Sequence, residues 1–129
     1  MATLADEIAR YGTLAFCITV TANARPHVGP VNVELDGDAL LVRVLPASGT
    51  ERNVSTNEVV CLHWAGTPAT DDYSLIVDGP ATVERDDHVT RLRITPTKAV
   101  LHRLGTPGEH TTACGHDCVG VDLDRKSVV

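Results

Sequence analysis

Three good zinc ligands stand at alternate positions near the end of the chain: Cys114, His116 and Cys118. On a strand, alternate side chains point to the same face, so the three groups would crowd around one metal ion. The Cys-x-x-Cys spacing of a zinc knuckle is absent, and His102 and His110 are the available fourth ligands. We predict no metal site and interpret the cluster as accidental. The alternatives are zinc binding and a Cys114–Cys118 disulfide, which a reducing compartment disfavours.

Catalysis by side chains alone is not indicated elsewhere in the chain. The sequence contains no Gly-x-Ser-x-Gly turn, and no pair of carboxylates stands out as an acid–base couple. Any reaction is therefore expected to be carried out by a cofactor, for which the protein supplies position, shielding and hydrogen bonds.

Charge and hydropathy exclude two classes of partner. The formal net charge is −6 and the basic residues are scattered, so the basic stripe of a nucleic-acid-binding protein is missing. No apolar run approaches the roughly 20 residues of a membrane helix, and the first ten residues lack the pattern of a signal peptide. The sequence predicts a cytoplasmic protein that binds neither nucleic acid nor membrane.

The hydrophobic pattern predicts short strands with little helix. Thr3 and Asp6 resemble a capping box that opens a short helix ending at Gly12. Asp36-Gly37 is a strong hairpin signal, and helical turns are expected over Thr50–Asn57. Strands are predicted over Leu14–Val20, Pro26–Leu35, from Ala39 to the break at Pro46, Val59–Trp64, Tyr73–Val77, Ala81–Glu84, Ala99–Leu104 and Val119–Leu123, with a bend at Asp78-Gly79-Pro80 and a loop over Gly105–Gly115.

These strands are too closely spaced for a parallel sheet with crossover helices, so a barrel or a sandwich is expected. We treat residues 1–129 as a single domain, since half of this length would bury little surface. Cys17 and Cys61 lie inside apolar runs and are predicted to be core residues.

The order of four motifs points to a family. The motifs are Arg25–Val31, the Asp36-Gly37 hairpin, Ser48–Asn53 and Ile94–Arg103. Together they resemble the pyridoxamine 5'-phosphate oxidase-like, flavin-binding split-barrel family, from the first helix to about Arg103. None of the motifs is specific alone; their order and spacing carry the resemblance.

The resemblance implies a mainly β fold: a six-stranded antiparallel split β-barrel with a short N-terminal helix and a small helix after the third strand. It also implies a homodimer that holds flavin mononucleotide (FMN) or a deazaflavin between its subunits and acts as an oxidoreductase on a small organic substrate. No catalytic residue is assigned. The implied cofactor-binding residues are His27, Val28, Gly29, Pro30, Val31, Val44, Ser48, Gly49, Thr50, Arg52 and Asn53.

The chain departs from the family pattern at Thr50, where a basic phosphate ligand is usual. Arg52 lies about 200° around the helix from Thr50 and does not simply inherit that role, while Glu51 adds a negative charge. An alternative is therefore a barrel that has lost the flavin and binds another small ligand such as haem, for which His27 and His63 are candidates.

Several of the named residues also have purely structural interpretations. His27 fits an exposed strand position, Gly29 a bulge and Ser48 a helix cap. Arg43 fits a solvated or dimer-contact residue, and Trp64 fits core or dimer packing.

Overall fold

The computed structural model describes residues 2–105 and 116–123, with only the backbone of residue 116. In this part of the chain two α-helices are present, α1 (Leu4–Tyr11) and α2 (Gly49–Thr56), together with a 3-10 turn at Pro68–Thr70. The strands are β1 (Leu14–Val20), β2 (Pro26–Asp36), β3 (Ala39–Val44), β4 (Val59–Trp64), β5 (Ser74–Arg85), β6 (Thr90–Ile94), β7 (Lys98–Leu104) and β8 (His116–Gly120).

Six of these strands close into an antiparallel barrel in the order β1-β2-β3-β6-β5-β4, and β4 returns to β1. β7 pairs with the first half of β5, and β8 extends the sheet beyond β7. The six-stranded split barrel with a helix before β1 and another after β3 confirms the predicted fold class.

The barrel is split because β2 changes its partner midway. Pro26–Asn32 pairs with β1, whereas Val33–Asp36 pairs with β3. β3 in turn continues along β6 to Val44, so its end diverges from β2. A gap therefore opens between the first half of β2 and the end of β3.

Branched aliphatic side chains fill the core, as the scarcity of aromatic residues predicts. Trp64 is buried among them, and its Nε1–H donates to the Gly12 carbonyl at 3.0 Å. Cys17 is buried as predicted. The core prediction for Cys61 is wrong, because Cys61 is half-buried and alternates with the core residues Val60 and Leu62.

Both helix starts form as their cap residues predict. The Thr3 hydroxyl accepts from the Asp6 N–H, the Asp6 carboxylate accepts from the Thr3 N–H, and α1 ends at Gly12 with φ +91°. At α2 the Ser48 hydroxyl accepts from the Glu51 N–H at 3.3 Å.

The second half of the strand prediction needs correction. Asp78-Gly79-Pro80 does not interrupt β5: the strand runs through it and changes partner there from β7 to β6. Gly79 permits this crossing, because a Cβ at this position would lie 2.0 Å from the Thr95 carbonyl oxygen. β6 was not predicted, since it is short and its outward side chains, Arg91 and Arg93, obscure the alternation with the core.

The last strand begins and ends earlier than predicted, at His116–Gly120 rather than Val119–Leu123. Most of the loop predicted over Gly105–Gly115 lies outside the described residues. No helix in the described ranges has the length and apolar character needed to span a membrane.

Candidate functional site

The split forms a groove of about 650 Å³. Its wall on the β2 side includes Pro30, Val31 and Asn32, and its wall on the β3 side runs from Arg43 to Pro46. Thr90 and Arg91 of β6 and the preceding turn close it from behind. The groove combines apolar walls with a few polar groups, which is typical of small-molecule sites.

The backbone of β2 presents an unpaired edge to this groove. The Val33 N–H donates to the Thr13 carbonyl at 2.7 Å, so odd-numbered residues of the first half of β2 direct their backbone groups toward β1. Because the direction alternates along an antiparallel strand, Val28, Pro30 and Asn32 direct theirs toward the split. Pro30 has no N–H, so this edge offers the Val28 and Asn32 donors and the Val28 and Pro30 carbonyl acceptors.

The side chains of β2 alternate between two faces. His27, Gly29 and Val31 share the face of the core residue Val33. At Gly29 this face is open, because a Cβ built there would meet no atom within 4 Å. Gly29 therefore leaves space against the β2 backbone where a flat ring could lie.

A pair of basic side chains meets at the start of α2. A Cβ built on Gly49 would lie 3.6 Å from His27 Nε2 and 3.8 Å from Arg52 Nη2. Arg52 Nη1 also donates to the Ala47 carbonyl at 2.6 Å. Although Arg52 and Thr50 project from different sides of the helix, the long arginine side chain reaches back to the first turn. With the N–H groups of that turn, His27 and Arg52 can receive an anion.

The negative charge of Glu51 does not oppose this role. Glu51 is buried, forms an ion pair with Arg85, and accepts a hydrogen bond from the Ala47 N–H. The carboxylate thus braces the loop before α2, and its charge is compensated by Arg85, which sequence reasoning did not identify.

The implied cofactor residues therefore do not all lie together. Pro30, Val31 and Val44 line the split, and His27, Gly49 and Arg52 meet at the helix start, beside Ser48 and Thr50. Val28 contributes its backbone to the open edge, while its side chain is exposed on the other face. Asn53 is buried, and its Nδ2 donates to Thr19 Oγ1 at 3.0 Å, which ties α2 to β1. An elongated group with a flat ring and an anionic end fits this arrangement.

No family model matches the chain. Two Mycobacterium proteins, Mb0449c of M. bovis and MT0457 of M. tuberculosis, are each 39% identical to it over 120 residues, covering 81% of this chain and 82% of theirs; both are uncharacterized. Among solved structures, a Listeria innocua protein proposed to be a pyridoxamine 5'-phosphate oxidase matches with a TM-score of 0.63 and 17% identity, covering 76% of this chain and 97% of that one.

An F420 reductase matches with a TM-score of 0.61 and 14% identity over 73% of this chain and 94% of that one. HutZ, the haem storage protein of Vibrio cholerae, matches with a TM-score of 0.60 and 15% identity over 76% of this chain and 92% of that one. The chain has the split-barrel fold of these solved structures. It belongs to one family with the two mycobacterial proteins.

β1 and the first half of β2 expose their outer face to solvent. Here that face exposes apolar side chains: Leu14 is 67% exposed, Phe16 45% and Val28 57%. In register, Phe16 lies opposite Pro30 on one side and His63 on the other. We call this surface, centred on Phe16, the β1 face.

His63 lies half-buried at the border of the β1 face. Burial lowers the pKa of its imidazole, and the nearby His102 lowers this pKa further. At neutral pH the ring is therefore predominantly uncharged and can act as a metal ligand. Among the residues that the structure describes, no group of three His, Cys, Asp or Glu side chains could hold a metal ion. Of the tail cluster, Cys114 and the His116 side chain lie outside those residues.

Among the groove residues that sequence reasoning missed are the polar side chains of Asn32, Arg43 and Arg91. Asn32 continues the alternation of Val28 and Pro30 on β2, so this pattern could have identified it. Arg91 could not be placed because β6 was not predicted.

Proposed function

We propose that this protein is an oxidoreductase that binds FMN or a deazaflavin in the split and acts on a small organic substrate. The observation that carries the proposal is the open β2 edge lying next to the basic helix start. The edge supplies donors and acceptors for the rim of a heteroaromatic ring, and the helix start supplies Arg52, His27 and backbone N–H groups for a terminal phosphate. The fold shared with an F420 reductase supports the same class of reaction.

Each part of the site has a defined role in this proposal. His27, Arg52 and the first-turn N–H groups of α2 hold the phosphate in place of the missing basic residue at Thr50. Gly29 lets the ring approach the backbone, and the Val28 N–H donates to the ring. Val31 and Val44 exclude water from one side of it.

Bound flavin or deazaflavin would supply the hydride transfer, and the protein supplies orientation and shielding. We assign no catalytic residue. The proposal places the protein in the cytoplasm, where such cofactors are available, with no nucleic-acid or membrane partner.

Replacing Arg52 tests the phosphate site. Riboflavin has the ring of FMN without its phosphate, so the ratio of the two affinities isolates the phosphate contribution. We expect Arg52→Gln to weaken FMN binding about tenfold, since a hydrogen bond to a charged group contributes about 1.5–3 kcal/mol. The riboflavin affinity of the variant should stay within about twofold of that of the unmodified protein. Fluorescence titration of the flavin measures both affinities.

Arg25→Gln, which removes an exposed arginine just before β2, is the matched control and should leave the ratio unchanged. Gly29→Val should lower the affinities for FMN and riboflavin equally, because the valine side chain fills the space beside the β2 backbone. The cofactor proposal is wrong if the unmodified protein binds neither FMN, riboflavin nor a deazaflavin saturably.

We also propose that the protein is a homodimer joined through the β1 face. Monomeric proteins rarely leave contiguous apolar patches uncovered. Leu14, Phe16 and Val28 form such a patch beside the split, so a second subunit there would also close the groove. Both subunits would then contribute walls to each cofactor site.

A charge placed on the β1 face should separate the subunits. We expect Phe16→Glu to be a folded monomer, because dimerisation would bury the new carboxylate without a partner. Sedimentation velocity gives the mass, and circular dichroism checks folding. Leu35→Glu is the control, since Leu35 is also exposed but lies on the half of β2 that pairs with β3. A dimer that persists in Phe16→Glu would contradict this interface.

Haem binding is a second candidate function, favoured by the uncharged, half-buried His63 next to an apolar face. The fold shared with the haem storage protein HutZ supports it. Added haem should then give a Soret shift that His63→Ala abolishes and His88→Ala, at an exposed turn, leaves intact. An unchanged Soret band with the unmodified protein would exclude this function.

A further inference from the structure

Two arginines face each other across neighbouring strands in the groove. Arg43 on β3 lies directly opposite Arg91 on β6, and both line the split. Like charges at directly opposed positions of a sheet are destabilising. The arrangement is unexpected in a chain with 17 acidic and 11 basic residues, where carboxylates are available to separate such a pair.

The two arginines differ in their partners. Arg91 Nε lies 3.4 Å from Glu84 Oε2, and Arg91 Nη2 lies 3.7 Å from Asp86 Oδ2, so the charge of Arg91 is compensated. Arg43 is exposed and has no carboxylate within 4.0 Å among the described residues; Glu34 lines the same groove without reaching it. Most described arginines form an ion pair, and the other exceptions are Arg25 and Arg52.

Arg43 is also separated from the basic pair at α2. Asn32, at the Arg43 end of the groove, is five residues from His27, which is about 17 Å along an extended strand. One anion cannot contact both ends. The Thr13 hydroxyl donates to Asn32 Oδ1 at 3.4 Å, which leaves the Asn32 NH₂ as a donor near Arg43.

We infer that Arg43 is the substrate anchor of this site, binding the carboxylate or phosphate of a small organic acid while Arg91 and Asn32 flank it. A guanidinium presents two parallel N–H groups to an oxyanion, which fixes the orientation as well as the position of the ligand. That the bound anion is a substrate rests on the proposed function. The anion site itself does not depend on the cofactor.

The experiment titrates ¹⁵N-labelled protein with malonate and, separately, with inorganic phosphate, at ionic strength held constant with sodium chloride. Shifts of the Arg43 Nε–H and of the Asn32 amide report binding, and the two arms distinguish a carboxylate site from a phosphate site. We expect Arg43→Gln to lower the affinity for the preferred anion about tenfold, because a hydrogen bond to a charged group is lost. Arg25→Gln is the control and should have no effect.

FMN affinity of the same variants separates the two proposals. An Arg43→Gln protein that loses the anion but keeps its FMN affinity within about twofold supports the inference. Anion binding that depends on Arg43 in a protein that binds no flavin would uphold the anion site and defeat the cofactor proposal. Two results would overturn the inference. One is a protein that binds flavin and whose anion affinity is the same with and without Arg43. The other is an Arg43→Gln variant that loses affinity for the anion and for FMN equally.

Discussion

The site depends on one constraint, the change of hydrogen-bonding partner along β2. Its first half bonds to β1 alone and its second half also reaches β3, because β3 follows β6 away from β2 after Val42. Backbone polar groups need partners, and a barrel normally removes its edges by closing. A short open edge inside an otherwise closed barrel is therefore a position where water or a ligand must complete the hydrogen bonding.

The groove beside this edge is held open by contacts elsewhere. α2 is fixed to the barrel by the Asn53–Thr19 hydrogen bond, and the loop before it is braced through Ala47 by Glu51 and Arg52. These contacts, all made within the protein itself, hold Arg52 against Gly49. A site that is organised before binding loses less entropy when the ligand arrives.

Local signals predicted the parts of the fold that depend on them. The Asp36-Gly37 turn, with Gly37 at φ +62°, and the caps at Thr3 and Ser48 needed only neighbouring residues. β6 and the uninterrupted β5 depend on pairing between strands farther apart in the sequence, such as Val42 with Leu92 and Leu62 with Val77, which periodicity does not show. Likewise, the family resemblance indicated the helix start, but the Glu51–Arg85 pair and the opposed Arg43 and Arg91 appear only when the chain is folded.

Amide hydrogen exchange at Val28 tests the central claim most directly, because its N–H points into the split. The account predicts that saturating FMN slows exchange of the Val28 amide by at least about tenfold, as a new hydrogen bond would. The Val33 amide, already bonded to Thr13, should change little. Exchange at Val28 that is the same with and without bound FMN would contradict a cofactor lying along the open edge of β2.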